Sequence, residues 1–421
     1  MKTIFTLFLA ATYTFLSAQV SQPTQPTSGP GGSDYTYHDV TEFDYGTNMN
    51  GDGFWLFEPA SPVPDSANTI LFCHGMGETN PMYYGAFIRH LVQKGNIVIY
   101  PRYQHDLNSN TALYNDSCAK GIQRALDTLQ LPGHVKPRLY NYFIVGHSVG
   151  GVLTANMTQL YAMYNLPKPL ASFSIEPGAT GLTGIFLNSY SAFPADVKYL
   201  VAIGSQDVIV GTAPGIMLFD STTAVPTSHK NLVEVFPDSH GSPGITSTHN
   251  EPLAYDSAFD NGETNFFIQF STGVTDAVDY YCYWKLMDAL IDCSLNNQNC
   301  DVAFGDTPKQ KSMGSWSDGT PVVVLQITPA APTAITNIGN APAAKVFPNP
   351  SSTGFQFQIP GFKSNGETKL QLFDMTGREI LEQDIFSETT SVKSDFAAGV
   401  YLYQVKNGVG EILNKGKIVI Q

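Results

Sequence analysis

The run Tyr142-Phe143-Ile144-Val145-Gly146-His147-Ser148-Val149-Gly150-Gly151 decides how the chain is read. Four strand-forming residues lead into Gly146-x-Ser148-x-Gly150, and residues 152–164, which can form a helix, follow. A strand that turns sharply into a helix strains the backbone at its apex, and flanking glycines remove the Cβ atoms that would clash there. Ser148 then stands above the sheet edge with its Oγ free to attack. The pentapeptide alone says little. Its place between an apolar β run and a helix makes it a nucleophile elbow.

Working outward from the elbow, strands and helices alternate. Residues 69–73 read as a buried strand ending in His74-Gly75-Met76-Gly77, followed by a helical stretch over 82–93, a strand over 97–100 and a helix over 111–131. Past the elbow, residues 171–175, 199–203 and 232–236 read as strands and residues 278–292 as an amphipathic helix. Before all of these, residues 35–58 suggest antiparallel strands joined by a turn at Asn48-Met49-Asn50-Gly51-Asp52-Gly53. Such alternation implies right-handed crossovers and a mainly parallel sheet covered on both faces. The segment 176–194 is an insertion that reads either as a partial lid or as a surface loop with a short helix.

The chain has 421 residues, 43% hydrophobic and 14% charged, enough for two or three domains with substantial cores. A formal net charge of −14 excludes nucleic acid and anionic membrane surfaces as partners, because both need basic patches. Lys2, the apolar run 4–16 and Ser17-Ala18-Gln19 predict a signal peptide over 1–18, cleaved after Ala18. The run is too short for a membrane span, and no later segment reads as transmembrane. Residues 19–34, rich in Pro, Ser, Thr, Gln and Gly, read as a flexible tether. Of five cysteines, Cys293 and Cys300 flank a short polar loop and are expected to pair; Cys118 and Cys282 are a second candidate pair. Cys73, in an apolar run, reads as a small buried hydrophobe.

Open sheets place their chemistry at the carboxyl ends of their strands, which nominates the loops after residues 73, 145, 203 and 236. A serine nucleophile needs a base, and the base needs a carboxylate to fix its tautomer. Asp207, just past the strand 199–203, is the expected acid, ahead of Asp220, which no strand delivers. His240 directly follows the strand 232–236 and is the expected base; His249, farther along, is the alternative, and His229 reads as a surface residue. The oxyanion is expected to rest on the backbone N–H groups of Val149 and Met76. His74, Gly75, Tyr83, Tyr84 and His147 are expected around the substrate. No run of His, Cys, Asp and Glu has metal-site spacing and no dinucleotide or phosphate loop is present, so no cofactor is expected.

With Ser148, Asp207 and His240 in that order behind a His-Gly loop, residues 35–292 resemble the α/β-hydrolase superfamily. The resemblance is to its secreted bacterial, dienelactone-hydrolase-like and cutinase-like branch, in which Val233-Glu234-Val235-Phe236-Pro237-Asp238-Ser239-His240 is similar to the strand and His loop. It implies an α/β-hydrolase fold, a central sheet flanked by helices, over residues 35–327. A second resemblance lies in Val346-Phe347-Pro348-Asn349-Pro350, Leu370 to Arg378, Ala398 to Tyr403 and the terminal Lys415 to Ile420. These motifs resemble the type IX secretion sorting domain of Bacteroidetes. Their alternating short strands and Gly turns read as a small all-β sandwich over 345–421, after an Ala-, Pro- and Thr-rich linker over 328–344. This implies export across the outer membrane to the medium or cell surface, with the secretion machinery as a partner.

The leading functional expectation is a secreted serine carboxylester hydrolase acting on a small or polymeric ester through an acyl-enzyme. A peptidase or amidase would use the same triad. A non-catalytic surface binding protein on a hydrolase scaffold is the non-enzyme alternative.

Overall fold

The computed structural model describes residues 19–46, 52–262, 273–329 and 345–421, apart from short stretches at 353, 360–367, 375–377, 394–395 and 408–411. The signal peptide, most of the turn 48–53 and most of the linker 328–344 therefore lie outside the described residues. Among the described residues no helix is long and apolar enough to cross a membrane. The chain divides into two compact units, Met1–Thr333 and Ala334–Gln421.

Residues 69–73 and 142–145 are apolar and rich in β-branched and aromatic side chains, as suits strands buried on both faces. They lie side by side in parallel, Thr69 opposite Tyr142 and Cys73 opposite Gly146. Around them the strands β1 (Asp39–Asp44), β2 (Gly53–Ala60), β3 (Ser66–Cys73), β4 (Asn96–Arg102), β5 (Lys136–His147), β6 (Ala171–Ile175), β7 (Lys198–Gly204), β8 (Lys230–Val235) and β9 (Gln326–Pro329) form one sheet. Its order is β1-β2-β4-β3-β5-β6-β7-β8-β9. The pairs from β4 through β8 are parallel, while β1, β2 and β9 join antiparallel at the two sides. Strand β9 was not legible in the sequence, and it carries the hydrolase unit two residues into the expected linker.

Successive side chains of a strand face opposite layers, and the two cores follow that alternation. Ile70 and Phe72 pack with α1 (Gly85–Gln93), while Leu71 and Cys73 pack with α2 (Tyr114–Thr128) and α3 (Val149–Leu160). Helix α4 (Ala213–Ser221) lies beside β7 and β8, and α5 (Trp284–Asn296) joins α1 over the first face. Each large apolar side chain buried in these layers contributes about 1.5–3 kcal/mol. A π-turn, Asp279–Tyr283, runs directly into α5.

Three expectations change. Residues 19–34 are not a free tether: Gln19 Nε2 donates to the Ser242 carbonyl, Ser21 N–H to Ser317 Oγ, and Gly31 N–H to Asp288 Oδ2, all at 2.9–3.0 Å. Polar composition suggested mobility, but the segment finds partners all along the domain. Cys118 and Cys282 do not pair, because Cys118 lies in the layer under α2 and Cys282 in the opposite layer; both are free and buried. Cys293 and Cys300 are disulfide-bonded as expected. Finally, the 176–194 segment forms no helix and is pinned to α3, with Asn156 Nδ2 donating to the Ile185 carbonyl at 2.7 Å and Tyr190 Oη to Asn156 Oδ1 at 2.7 Å.

The second unit forms two antiparallel sheets: β10 (Lys345–Phe347), β11 (Gly354–Gln358) and β14 (Thr389–Lys393) in one, and β13 (Glu379–Asp384), β12 (Lys369–Phe373), β15 (Gly399–Lys406) and β16 (Ile412–Ile420) in the other. Phe355, Phe357, Leu370, Leu372, Val405 and Ile418 form the core.

Candidate active site

Ser148 sits between β5 and α3 with φ 57° and ψ −123°, a conformation costly for a residue with a side chain. The surroundings hold it there. Its N–H donates to the Ile175 carbonyl at 3.0 Å, and its own carbonyl accepts from Gly178 and Val152 at 3.2 Å. A Cβ on Gly146 or Gly150 would overlap the Cys73 carbonyl oxygen, so both glycines are required for the elbow to approach the end of β3. The strained apex of the sequence reading is thus the observed conformation.

The histidine beside Ser148 is His249, not His240, the expected base. His249 Nε2 lies 2.9 Å from Ser148 Oγ, and its Nδ1 lies 2.7 Å from Asp207 Oδ2. His240 is about two-fifths exposed and pairs at 2.8 Å with Asp318 on the surface. The reason is a detour after β8. Asp238 and Ile245 bridge each other through both backbone groups, which throws 239–244 outward as a hairpin carrying His240 at its tip. Asp238 anchors that hairpin by accepting from Trp316 Nε1 and Val323 N–H. The chain then returns, and the Ser247 carbonyl accepts from Gln206 N–H at 3.1 Å, setting His249 beside Asp207.

Asp207 comes from the end of β7 as expected. Its Oδ1 accepts from the N–H groups of Ile209 and Val210 at 2.9 and 3.0 Å, leaving Oδ2 for the imidazole. Burial pushes its carboxyl up, but the hydrogen bond and charge of His249 and the two backbone donors outweigh that and hold it below the ordinary range.

Of the residues expected around the substrate, most stand behind the site. His74, Tyr83, Tyr84 and His147 are buried at 0–1% exposure, too deep to line an open cleft. They brace it. His74 Nδ1 donates to the Gly75 carbonyl at 2.6 Å while its ring stacks on Tyr103, and burial lowers its pKa to about 4. Tyr84 Oη accepts from Gly75 N–H at 2.9 Å, contacts Glu78 Oε2, and lies 2.8 Å from His147 Nδ1. Tyr83 meets the ring of Tyr255 edge-on. Met76 alone of the 74–77 loop is partly exposed. Gly77 N–H is taken by Gln104 Oε1 at 2.7 Å, whereas Met76 N–H and Val149 N–H show no hydrogen-bond partner among the described residues.

Sequence reasoning missed Glu176 and Glu78. Glu176 follows β6 as Asp207 follows β7, a signal the sequence offers but hides at the start of the 176–194 insertion. His147, Glu176 and His249 bring potential ligand atoms within 4.8 Å of one another. Both nitrogens of both histidines are already hydrogen-bonded within the site, so a metal would have to dismantle it.

Residues 60–180 match the family model described as chlorophyllase, covering β3 to β6, the 74–77 loop and the elbow but not β7 to β9, Asp207 or His249. Residues 345–421 match the secretion system C-terminal sorting domain. No curated protein matches the chain significantly. The chain thus joins a unit of α/β-hydrolase fold to a type IX secretion sorting domain, which marks it for export and release or attachment at the cell surface.

Proposed function

We propose that the first unit is a serine carboxylester hydrolase. The observation that carries this reading is the unbroken chain from Ser148 Oγ through His249 to Asp207, at 2.9 and 2.7 Å. Ser148 attacks an ester carbonyl as His249 Nε2 takes its proton, while Asp207 holds the imidazole in the Nδ1–H tautomer and stabilises the imidazolium. The N–H groups of Val149 and Met76 receive the oxyanion, each worth about a hundredfold or more in rate. His249 then protonates the leaving alkoxide, and water, activated by the same imidazole, releases the acid.

The test is hydrolysis of short and long p-nitrophenyl esters by the mature protein, alongside Ser148→Ala and His249→Ala. Turnover lost in both folded variants supports the reading. Amide turnover clearly exceeding ester turnover would replace it with a peptidase or amidase.

A further inference from the structure

Asp207 is not alone in facing His249. Glu176, the first residue after β6, places Oε2 3.5 Å from His249 Nδ1, the nitrogen that Asp207 holds at 2.7 Å. Two carboxyl groups from neighbouring strand ends thus address one imidazole nitrogen.

The setting of Glu176 is unlike that of an ordinary buried acid. Its backbone has φ 41°, a left-handed conformation that costs a non-glycine residue about 1–3 kcal/mol. The side chain is buried, and its Oε1 accepts from Tyr283 Oη at 2.9 Å, a hydroxyl delivered by the π-turn before α5. Oε2 has no hydrogen-bond partner among the described residues. Buried polar atoms are nearly always paired, so an orphan oxygen aimed at the base calls for an explanation. The titratable neighbours are Asp207, His249, His147, Tyr283, Cys282 and Glu251. Burial first, and then the charge of Asp207, push the Glu176 carboxyl far up, so it keeps its proton while Asp207 is ionised.

We infer that Glu176 is a reserve acid: a positioning residue that becomes the carboxylate partner of His249 Nδ1 when the charge of Asp207 is removed. The inference rests on the Ser148–His249–Asp207 reading. In the takeover, Glu176 releases its proton to solvent and Oε2 accepts the hydrogen bond of Nδ1–H; no covalent bond is made and nothing is oxidised.

The experiment follows kcat/KM on a p-nitrophenyl ester from pH 5 to 10 for the wild type, Glu176→Gln, Asp207→Ala and the double variant, with Ser148→Ala as blank and thermal melting as the folding check. Glu176→Gln alone is expected to cost no more than about threefold, yet to cost a further tenfold or so in the Asp207→Ala background. The residual activity of Asp207→Ala should rise with pH as Glu176 ionises, and the double variant should lose that rise. Equal factors in both backgrounds, or a residual activity with no pH dependence on Glu176, would sink the inference and leave the triad untouched. Wild-type activity in Asp207→Ala would instead overturn the triad reading beneath it. Should Asp207→Ala not fold, Asp207→Ser, whose hydroxyl can accept from Ile209 or Val210 but is too short to reach His249 Nδ1, carries the same comparison.

Discussion

His147 Nε2 donates to the carbonyl oxygen of His249 across 2.9 Å, so the residue before Ser148 grips the backbone of the proposed base. The grip reaches further back, through Tyr84 to Gly75 of the 74–77 loop. Removing it strands a buried carbonyl, at a cost of about 1–3 kcal/mol. His147→Phe should lower kcat about tenfold with KM nearly unchanged and reduce the melting temperature. A raised KM at constant kcat would place His147 in substrate binding instead.

The two histidines of the loop after β8 should separate cleanly. His249→Ala is expected to lose about a thousandfold or more in kcat/KM, whereas His240→Ala, which breaks a half-exposed pair with Asp318, should stay within about twofold. Steady-state kinetics on both variants decide it.

In the 74–77 loop the backbone matters more than the side chains. A Cβ at Gly75 would overlap Glu78 Oε2 and crowd Tyr84 Oη, displacing the very segment that aims Met76 N–H. Gly75→Ala should therefore cost about a hundredfold in kcat, and Met76→Ala only a few-fold, mainly in KM. Similar losses in the two variants would remove Met76 N–H as an oxyanion donor.

Much of this was legible in the sequence, for identifiable reasons. The elbow was readable because strand, glycines and helix adjoin within ten residues, and Asp207 because the strand before it ends sharply. His249 was legible only as the alternative to His240, since the Asp238–Ile245 bridge that pushes His240 out depends on Trp316 and Val323, more than seventy residues downstream. Tyr84 and His147 have the composition of cleft residues, and only the packing of the sheet shows them behind it. The pairing of β9 with β8 is equally non-local, which is why a linker was expected where a strand begins.

Glu251 gives the fold a pH signature. Burial, with a contribution from Asp276, raises its carboxyl from 4.5 to about 7 despite hydroxyl donors from Thr246 and Thr248. Between those values the folded chain keeps the proton and the unfolded chain has lost it. Its contribution to stability is thus fully present below pH 4.5 and is lost as pH rises to about 7, by about 1.4 kcal/mol per pH unit. Glu251→Gln should remove one proton's worth of that slope in urea unfolding at pH 5, 6 and 7. Identical slopes in variant and wild type would contradict the assignment.

The Cys293–Cys300 bond closes a loop with a sequence separation of 7 at the end of α5, away from Ser148 in the chain. The chain-entropy estimate for so short a loop is about 2–3 kcal/mol. Replacing both cysteines by serine should lower stability by about that amount and leave ester turnover unchanged; a matched loss of turnover would tie the bond to the site.

The strap formed by residues 19–34 joins partners as far apart in the sequence as Ser242 and Ser317. The first residues of the hydrolase unit therefore act as a clasp on its last third. They can close only after synthesis has passed Ser317, so a bulky tag fused at residue 19, or trimming by a protease there, would loosen the far end of the domain rather than its beginning.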